Sequence, residues 1–249
     1  MTHLIKRHLC EGVLTLTLER PDKLNALTHG MYEHLTDLLR AAQNDDETQV
    51  VIITGGERCF TAGNDLKDFL QVPPSALDAP AFRFMGAVLD LDKPLIAAVA
   101  GAAVGIGTTL LLHCDQVLVT RDAKLRMPFV NLGLCPEFGA SLLLPQLVGH
   151  ARAARLLLWG DGLSGEQAVA WGLANEAFDE GAQCLAAARQ LAERITRLPQ
   201  ASVRLSKQLL KAPQRAALEE AIAREGALFI ERLRSDEARS ALDSLMAPR

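Results

Sequence analysis

Three short aliphatic runs, at residues 50–53, 95–99 and 116–120, constrain the fold more than any other feature of the chain. Each is too short for a helix and nearly continuously apolar, so each reads as a strand buried on both faces. The first is stopped by Gly55-Gly56, and the second runs into Gly101, Gly105 and Gly107. Helical stretches separate the runs. Strands that alternate with helices require crossover connections, which implies an α/β architecture with parallel pairing.

The flanking segments extend this pattern. Residues 13–19 alternate Val and Thr with Leu, the period-two signature of a half-buried strand. Met31, Leu35, Leu38, Leu39 and Ala42 recur at helical spacing behind a Thr28 cap. Residues 66–70 precede a loop at Pro73-Pro74, and residues 105–113 read as a helix. Beyond Leu142 helices dominate, over 151–159, 182–197, 200–210, 215–233 and 236–245. Ser164 and Gln167 form a capping box, Gly172 closes the helix that follows, and Ser235 caps the last one. We therefore expect an α/β core over residues 1–195 and a helical region over 196–249.

Hydrophobic residues make up 49% of the 249 positions and aromatics only 4%, so Leu, Ala and Val must fill the core. The formal net charge of -4, with dispersed Lys and Arg, provides no track for a polyanion, and a nucleic-acid partner is not expected. The apolar stretch at 94–112 is broken by Pro94 and three glycines, so a membrane span is not expected either. The five cysteines are widely spaced with no Cys-x-x-Cys pair, which fits free thiols in a reducing compartment rather than metal ligation. Polar Lys6, Arg7 and His8 precede any long apolar run, and the final Ala-Pro-Arg is no organelle address; a cytoplasmic location is expected. His3, His8, His29, His34 and His150 lack ligand spacing, and His113 reads as a satisfied core residue.

Three segments could carry chemistry. Phe60-Thr61-Ala62-Gly63-Asn64-Asp65-Leu66 follows a strand and opens a helix, where a glycine admits a ligand to the backbone and unpaired amides face an anionic oxygen. It also fits an ordinary turn with Asp65 as a helix-start acid. Gly101-Ala102-Ala103-Val104-Gly105-Ile106-Gly107 is a second such turn. It lacks both the dinucleotide fingerprint and the P-loop ending, and close helix packing would explain it equally well. Two amides converging on one oxygen would make an oxyanion hole. In Pro136-Glu137-Phe138-Gly139, Glu137 sits among apolar residues just before a helix. Desolvation would raise its pKa toward that of a general base, while the helix N-terminus would lower it; an exposed helix-start acid also fits.

Taken together, and with Arg20-Pro21-Asp22-Lys23-Leu24-Asn25-Ala26-Leu27, Val51-Ile52-Ile53-Thr54-Gly55, Lys93-Pro94-Leu95-Ile96-Ala97-Ala98-Val99-Ala100-Gly101, Cys114-Asp115 and Ser235-Asp236-Glu237-Ala238-Arg239, these segments resemble the enoyl-CoA hydratase/isomerase (crotonase) superfamily over nearly the whole chain. The resemblance implies a spiral of repeated ββα units and a C-terminal helical region used to form a homotrimer or a dimer of trimers. It implies that the Asn64 and Ile106 amides form the oxyanion hole, where only backbone acts and the Ile106 side chain is tolerable. It places Lys23, Ala26, Ala62, Gly63, Asp65, Leu66 and Gly105 around an acyl-CoA thioester bound as substrate, with no permanently bound cofactor and no metal.

One departure bears on the reaction. The two glutamates of the family's hydratases fall at Thr109 and Phe129, neither of which moves a proton at neutral pH. Glu137 and Gly63-Asn64-Asp65 are instead similar to the Δ3,Δ2-enoyl-CoA isomerase branch, in which one glutamate shuttles the proton. Isomerisation by Glu137 is the expectation. Hydration, another enolate reaction such as thioester hydrolysis or dehalogenation, and a non-catalytic acyl-CoA- or RNA-binding role are the alternatives.

Overall fold

A computed structural model describes residues 4–246; the expectations for His3 and for the terminal Ala-Pro-Arg lie outside them. The strands are β1 (Ile5–Cys10), β2 (Val13–Leu18), β3 (Val50–Thr54), β4 (Leu95–Val99), β5 (Ala102–Val104), β6 (Gln116–Thr120), β7 (Lys124–Arg126), β8 (Gly162–Ser164) and β9 (Glu176–Phe178). The helices of the first half are α1 (His29–Asn44), α2 (Leu66–Gln71), α3 (Pro80–Asp90) and α4 (Ile106–Thr109). Those of the second half are α5 (Ala140–Val148), α6 (His150–Leu158), α7 (Gly165–Ala170), α8 (Gly181–Thr196), α9 (Gln200–Lys211), α10 (Arg215–Leu233) and α11 (Asp236–Met246).

The main sheet runs β1-β2-β3-β4-β6-β9, with β1 antiparallel to β2 and every other neighbour parallel. A second sheet, β5-β7-β8, begins where β4 and β6 leave the first. The three aliphatic runs are thus adjacent central strands. Both faces of the main sheet are covered. Leu14, Leu16, Val51, Ile53, Ala97 and Val119 belong to the principal core, whereas Val13, Val50, Ile52, Ile96, Ala98 and Leu118 pack against Cys184, Ala188 and Ala192 of α8. The C-terminal helices return to the principal core through Phe229, Leu233, Ala238 and Leu242.

Two expectations are corrected. Strand β2 is not half-buried, because α8 covers the face that carries Val13 and Thr15. The helix expected over 105–113 is one turn of α-helix, Ile106–Thr109, continued as a 3-10 helix over Leu110–His113. The caps behave as their chemistry requires: Thr28 accepts from the Met31 amide, Ser164 and Gln167 form a reciprocal box, and Ser235 accepts from the Ala238 amide. His113 is buried, with Nε2 2.7 Å from the Phe138 carbonyl and its ring stacked on Phe138. All five cysteines are free thiols.

Candidate active site

The two glycine turns lie side by side. Thr61 pairs with Ala103 in a parallel bridge, and the Val104 amide donates to the Thr61 carbonyl at 3.0 Å. The same approach brings Gly63 against Val104 and Gly105. Gly63 has φ +88°, and a Cβ on it would stand 2.6 Å from the Val104 carbonyl oxygen. Only glycine allows this approach. Gly105, at φ +56° and ψ −120°, turns the chain into α4 so that Ile106 becomes its first residue. Among the described residues, neither the Asn64 nor the Ile106 amide donates to a partner within the chain. Both lie where a helix or turn begins and intrahelical partners are lacking.

Residues around Asn25 hold the first turn in place. Asn25, at φ +56°, donates from Nδ2 to the carbonyls of Gly55, Cys59 and Phe60, and its own carbonyl accepts from Thr61 Oγ1. Arg20 Nη1 lies 2.6 Å from Asp65 Oδ2, and the other Asp65 oxygen caps α2 through the Lys67 and Asp68 amides. Burial would raise the Asp65 carboxyl, but the bonds to Arg20 and to these amides outweigh it and hold the group below the usual carboxylate range. Asp65 is therefore both a cap and an ion-pair partner.

A cleft of about 980 Å³ opens in front of this turn. Lys23, Ala26, Ala62, Asn64, Asp65 and Leu66 line it, so these six expected residues are brought together. Gly63, Gly105, Ile106 and Glu137 do not line it; Ile106 and Glu137 are only 1% and 4% exposed. Sequence reasoning did not find the lining contributed by Val104, Arg126, Asn131 and Leu132 and by Ala241, Ser244 and Leu245 of α11. No local motif links α11 to Lys23; only the fold brings them together.

Glu137 connects to the helix that follows the second turn. Thr109, at the end of the helix that Ile106 starts, donates from Oγ1 toward Glu137 Oε1 at 3.4 Å. On the other side Tyr32 of α1, which the sequence did not single out, donates its hydroxyl to Asn64 Oδ1 at 2.5 Å. Burial, then the nearby Glu137 charge, push the Tyr32 phenol well above its ordinary value. Glu137 itself is pushed up to about 8, by burial first and the Glu225 carboxylate second, with the Thr109 bond acting weakly the other way. The helix N-terminus expected to lower Glu137 does not reach it, because the Gly139 and Ser141 amides at the start of α5 donate to Glu225 instead. Phe129 fills its position as an apolar wall, edge-on to Phe229, which is also edge-on to Phe69.

Among the described residues, no cluster of His, Cys, Asp or Glu is arranged to hold a metal ion, and no helix is long and apolar enough to cross a membrane.

Residues 9–247 match the family model of enoyl-CoA hydratase/isomerase, and the chain belongs to that family. It is 38% identical to the 1,2-epoxyphenylacetyl-CoA isomerase of Escherichia coli (strain K12), covering 88% of this chain and 86% of the relative. It is 32% identical to human enoyl-CoA delta isomerase 2, over 95% of this chain but only 61% of that longer protein. It is also 34% identical to the 2,3-dehydroadipyl-CoA hydratase of the same Escherichia coli strain, covering 88% and 86%. Among solved structures, Pseudomonas aeruginosa OdaA superposes with a TM-score of 0.97 at 55% identity, covering 99% of this chain and all of that one. An enoyl-CoA hydratase/isomerase from Pseudoalteromonas atlantica T6c superposes at 0.93 with 36% identity, covering 99% of each. The fold is the crotonase fold that the sequence resemblance implied.

Proposed function

We propose that this family enzyme is a Δ3,Δ2-enoyl-CoA isomerase in which Glu137 alone carries the proton. The observation that supports this is the isolation of Glu137. It is buried with Thr109 Oγ1 3.4 Å from its Oε1, and Thr109 and Phe129, which stand where a hydratase would hold its two acids, carry no carboxyl. The other buried carboxyl nearby, Glu225, has both oxygens committed to backbone amides. One group is thus left to move a proton.

In this reading the acyl-CoA lies in the cleft, with Lys23, Ala26, Ala62, Asp65 and Leu66 along its pantetheine and adenine parts, Gly63 and Gly105 in the two turns that carry the amides, and the thioester oxygen between the Asn64 and Ile106 amides. Glu137 takes the C2 proton of a 3-enoyl thioester. The electron pair moves into a dienolate whose oxygen rests on the two amides, each donor contributing roughly 3–4 kcal/mol to the transition state. The same carboxyl returns the proton at C4, and the double bond ends between C2 and C3. We assign to the buried cluster of Phe69, Phe129 and Phe229 the task of keeping water from the intermediate. Leu205, Leu209 and Leu210 of α9 are exposed apolar side chains suited to a subunit contact in a homotrimer.

Product analysis tests the assignment. The protein converts a 3-enoyl-CoA to the 2-enoyl isomer and releases no 3-hydroxyacyl-CoA from a 2-enoyl-CoA. The second reading is a hydratase, favoured by the 34% identity to a dehydroadipyl-CoA hydratase. Release of 3-hydroxyacyl-CoA as the main product would establish that reading in place of the first.

A further inference from the structure

We propose that Glu225 of α10 is a positioning residue for Glu137, fixing the loop that carries it and keeping a negative charge beside it. The proposal deepens the isomerase reading and rests on it for the identity of the acid.

The geometry is that of a clamp. Glu225 is 5% exposed, and its Oε2 accepts from the Gly139 amide at 2.6 Å while Oε1 accepts from the Ser141 amide at 2.8 Å. These donors stand two and four residues after Glu137, and the charged bonds to them are short. Between Glu137 and the clamp, Phe138 is held at φ +59° and Gly139 at φ +73°. For Phe138 that is a costly conformation, which surrounding structure must enforce. The enforcing contacts are the Glu225 bonds on one side and the His113 bond to the Phe138 carbonyl on the other. A Cβ on Gly139 would lie 2.3 Å from Leu218 Cδ1, so α10 approaches the loop closely here. Four residues after Glu225, Phe229 joins the ring cluster with Phe69 and Phe129. One helix therefore holds the loop that carries the acid and also joins the Phe69–Phe129 cluster.

The second effect is electrostatic. The titratable groups facing Glu137 are Glu225 from α10, Tyr32 from α1 and Cys135 from its own loop. Burial followed by the Glu225 charge pushes the Cys135 thiol up to about 11, and burial pushes the neighbouring His113 down to about 4, so at neutral pH neither carries charge. Among these groups it is the Glu225 carboxylate that adds to burial in raising Glu137. Removing that charge while keeping the shape should make Glu137 easier to ionise.

The test is the ionisation midpoint of Glu137 in the unliganded protein, followed by carbon NMR of glutamate carboxyls, with E137Q identifying the signal. Glu225→Gln is expected to lower that midpoint by about one unit and to move the acid limb of the kcat/KM profile down with it. A midpoint unchanged from wild type would overturn the proposal. If Glu225→Gln does not fold, Glu225→Asp carries the test: charge stays but the oxygens retreat from the amides, so the midpoint holds while kcat falls about tenfold or more. An unchanged kcat in that variant would equally overturn it. Failure of the isomerase reading is separate: wild type would not turn over a 3-enoyl-CoA, while the NMR midpoint would still report on the clamp.

Discussion

Tyr32 donates its hydroxyl to Asn64 Oδ1 at 2.5 Å, and this bond fixes the side chain of the residue whose amide is left unpaired at the head of the first glycine turn. Tyr32 is 2% exposed and packed against Phe84, so the ring cannot relax toward solvent. In Tyr32→Phe the amide oxygen of Asn64 loses its partner with no change in shape. We expect a stability loss of about 1–2 kcal/mol by chemical denaturation. Turnover of a 3-enoyl-CoA should fall by about tenfold, the scale expected when one supporting contact of an oriented donor is lost.

Glu137 makes stability and activity run oppositely with pH. Its carboxyl titrates near 8 in the folded protein, against 4.5 for the ordinary group. Between those values the native state binds the extra proton, so stability is highest below the lower value and falls as pH climbs through the upper one. Activity needs the deprotonated base, so kcat/KM should rise with pH and level off above about 8. Glu137→Gln removes the penalty. Its advantage over wild type should grow from about 1 kcal/mol or less at pH 5 to on the order of 4–5 kcal/mol at pH 8.5, read as a rise in Tm of about ten degrees.

The two turn glycines are not equivalent. Alanine at Gly63 meets both a positive φ and the Val104 carbonyl at 2.6 Å, whereas alanine at Gly105 meets open space and pays only for its backbone angle. We expect Gly105→Ala to cost about 1–3 kcal/mol of stability, the range for a strained residue. Gly63→Ala should cost more and should also lower kcat, because Val104, which it displaces, lies two residues before Ile106. Equal denaturation midpoints for the two variants would contradict the side-by-side placement of the turns.

Much of this was legible in the sequence because it is written locally. Residues 95–99 and 116–120 are strands of those bounds, and the Thr28 and Ser164 caps lie where their oxygens reach the third amide. The two turns announce themselves by glycine after an apolar run. What could not be read depends on distant pairs. Strand β2 looked half-buried because α8, over 160 residues later, supplies its second cover. Helix α3 has little polar contrast, since Phe84, Met85, Ala87, Val88 and Leu89 are all buried, and it escaped the periodicity argument. Tyr32 and Glu225 look like an ordinary core aromatic and an ordinary helix-surface acid until the fold brings them to Asn64 and to the Glu137 loop. The same holds for α11, whose Ser244 meets the cleft only through tertiary packing.

One buried carboxyl moves one proton in this mechanism, and a single comparison tests that most directly: the rate of 3-enoyl-CoA isomerisation by wild type and by Glu137→Gln at pH 8. The substitution keeps shape and leaves the Asn64 and Ile106 amides untouched, but it cannot accept the C2 proton. We expect the rate to fall by about 10³-fold, within the 10²–10⁴-fold range of general acid–base contributions. Rates equal within a few fold would contradict it and move the proton transfer to another group.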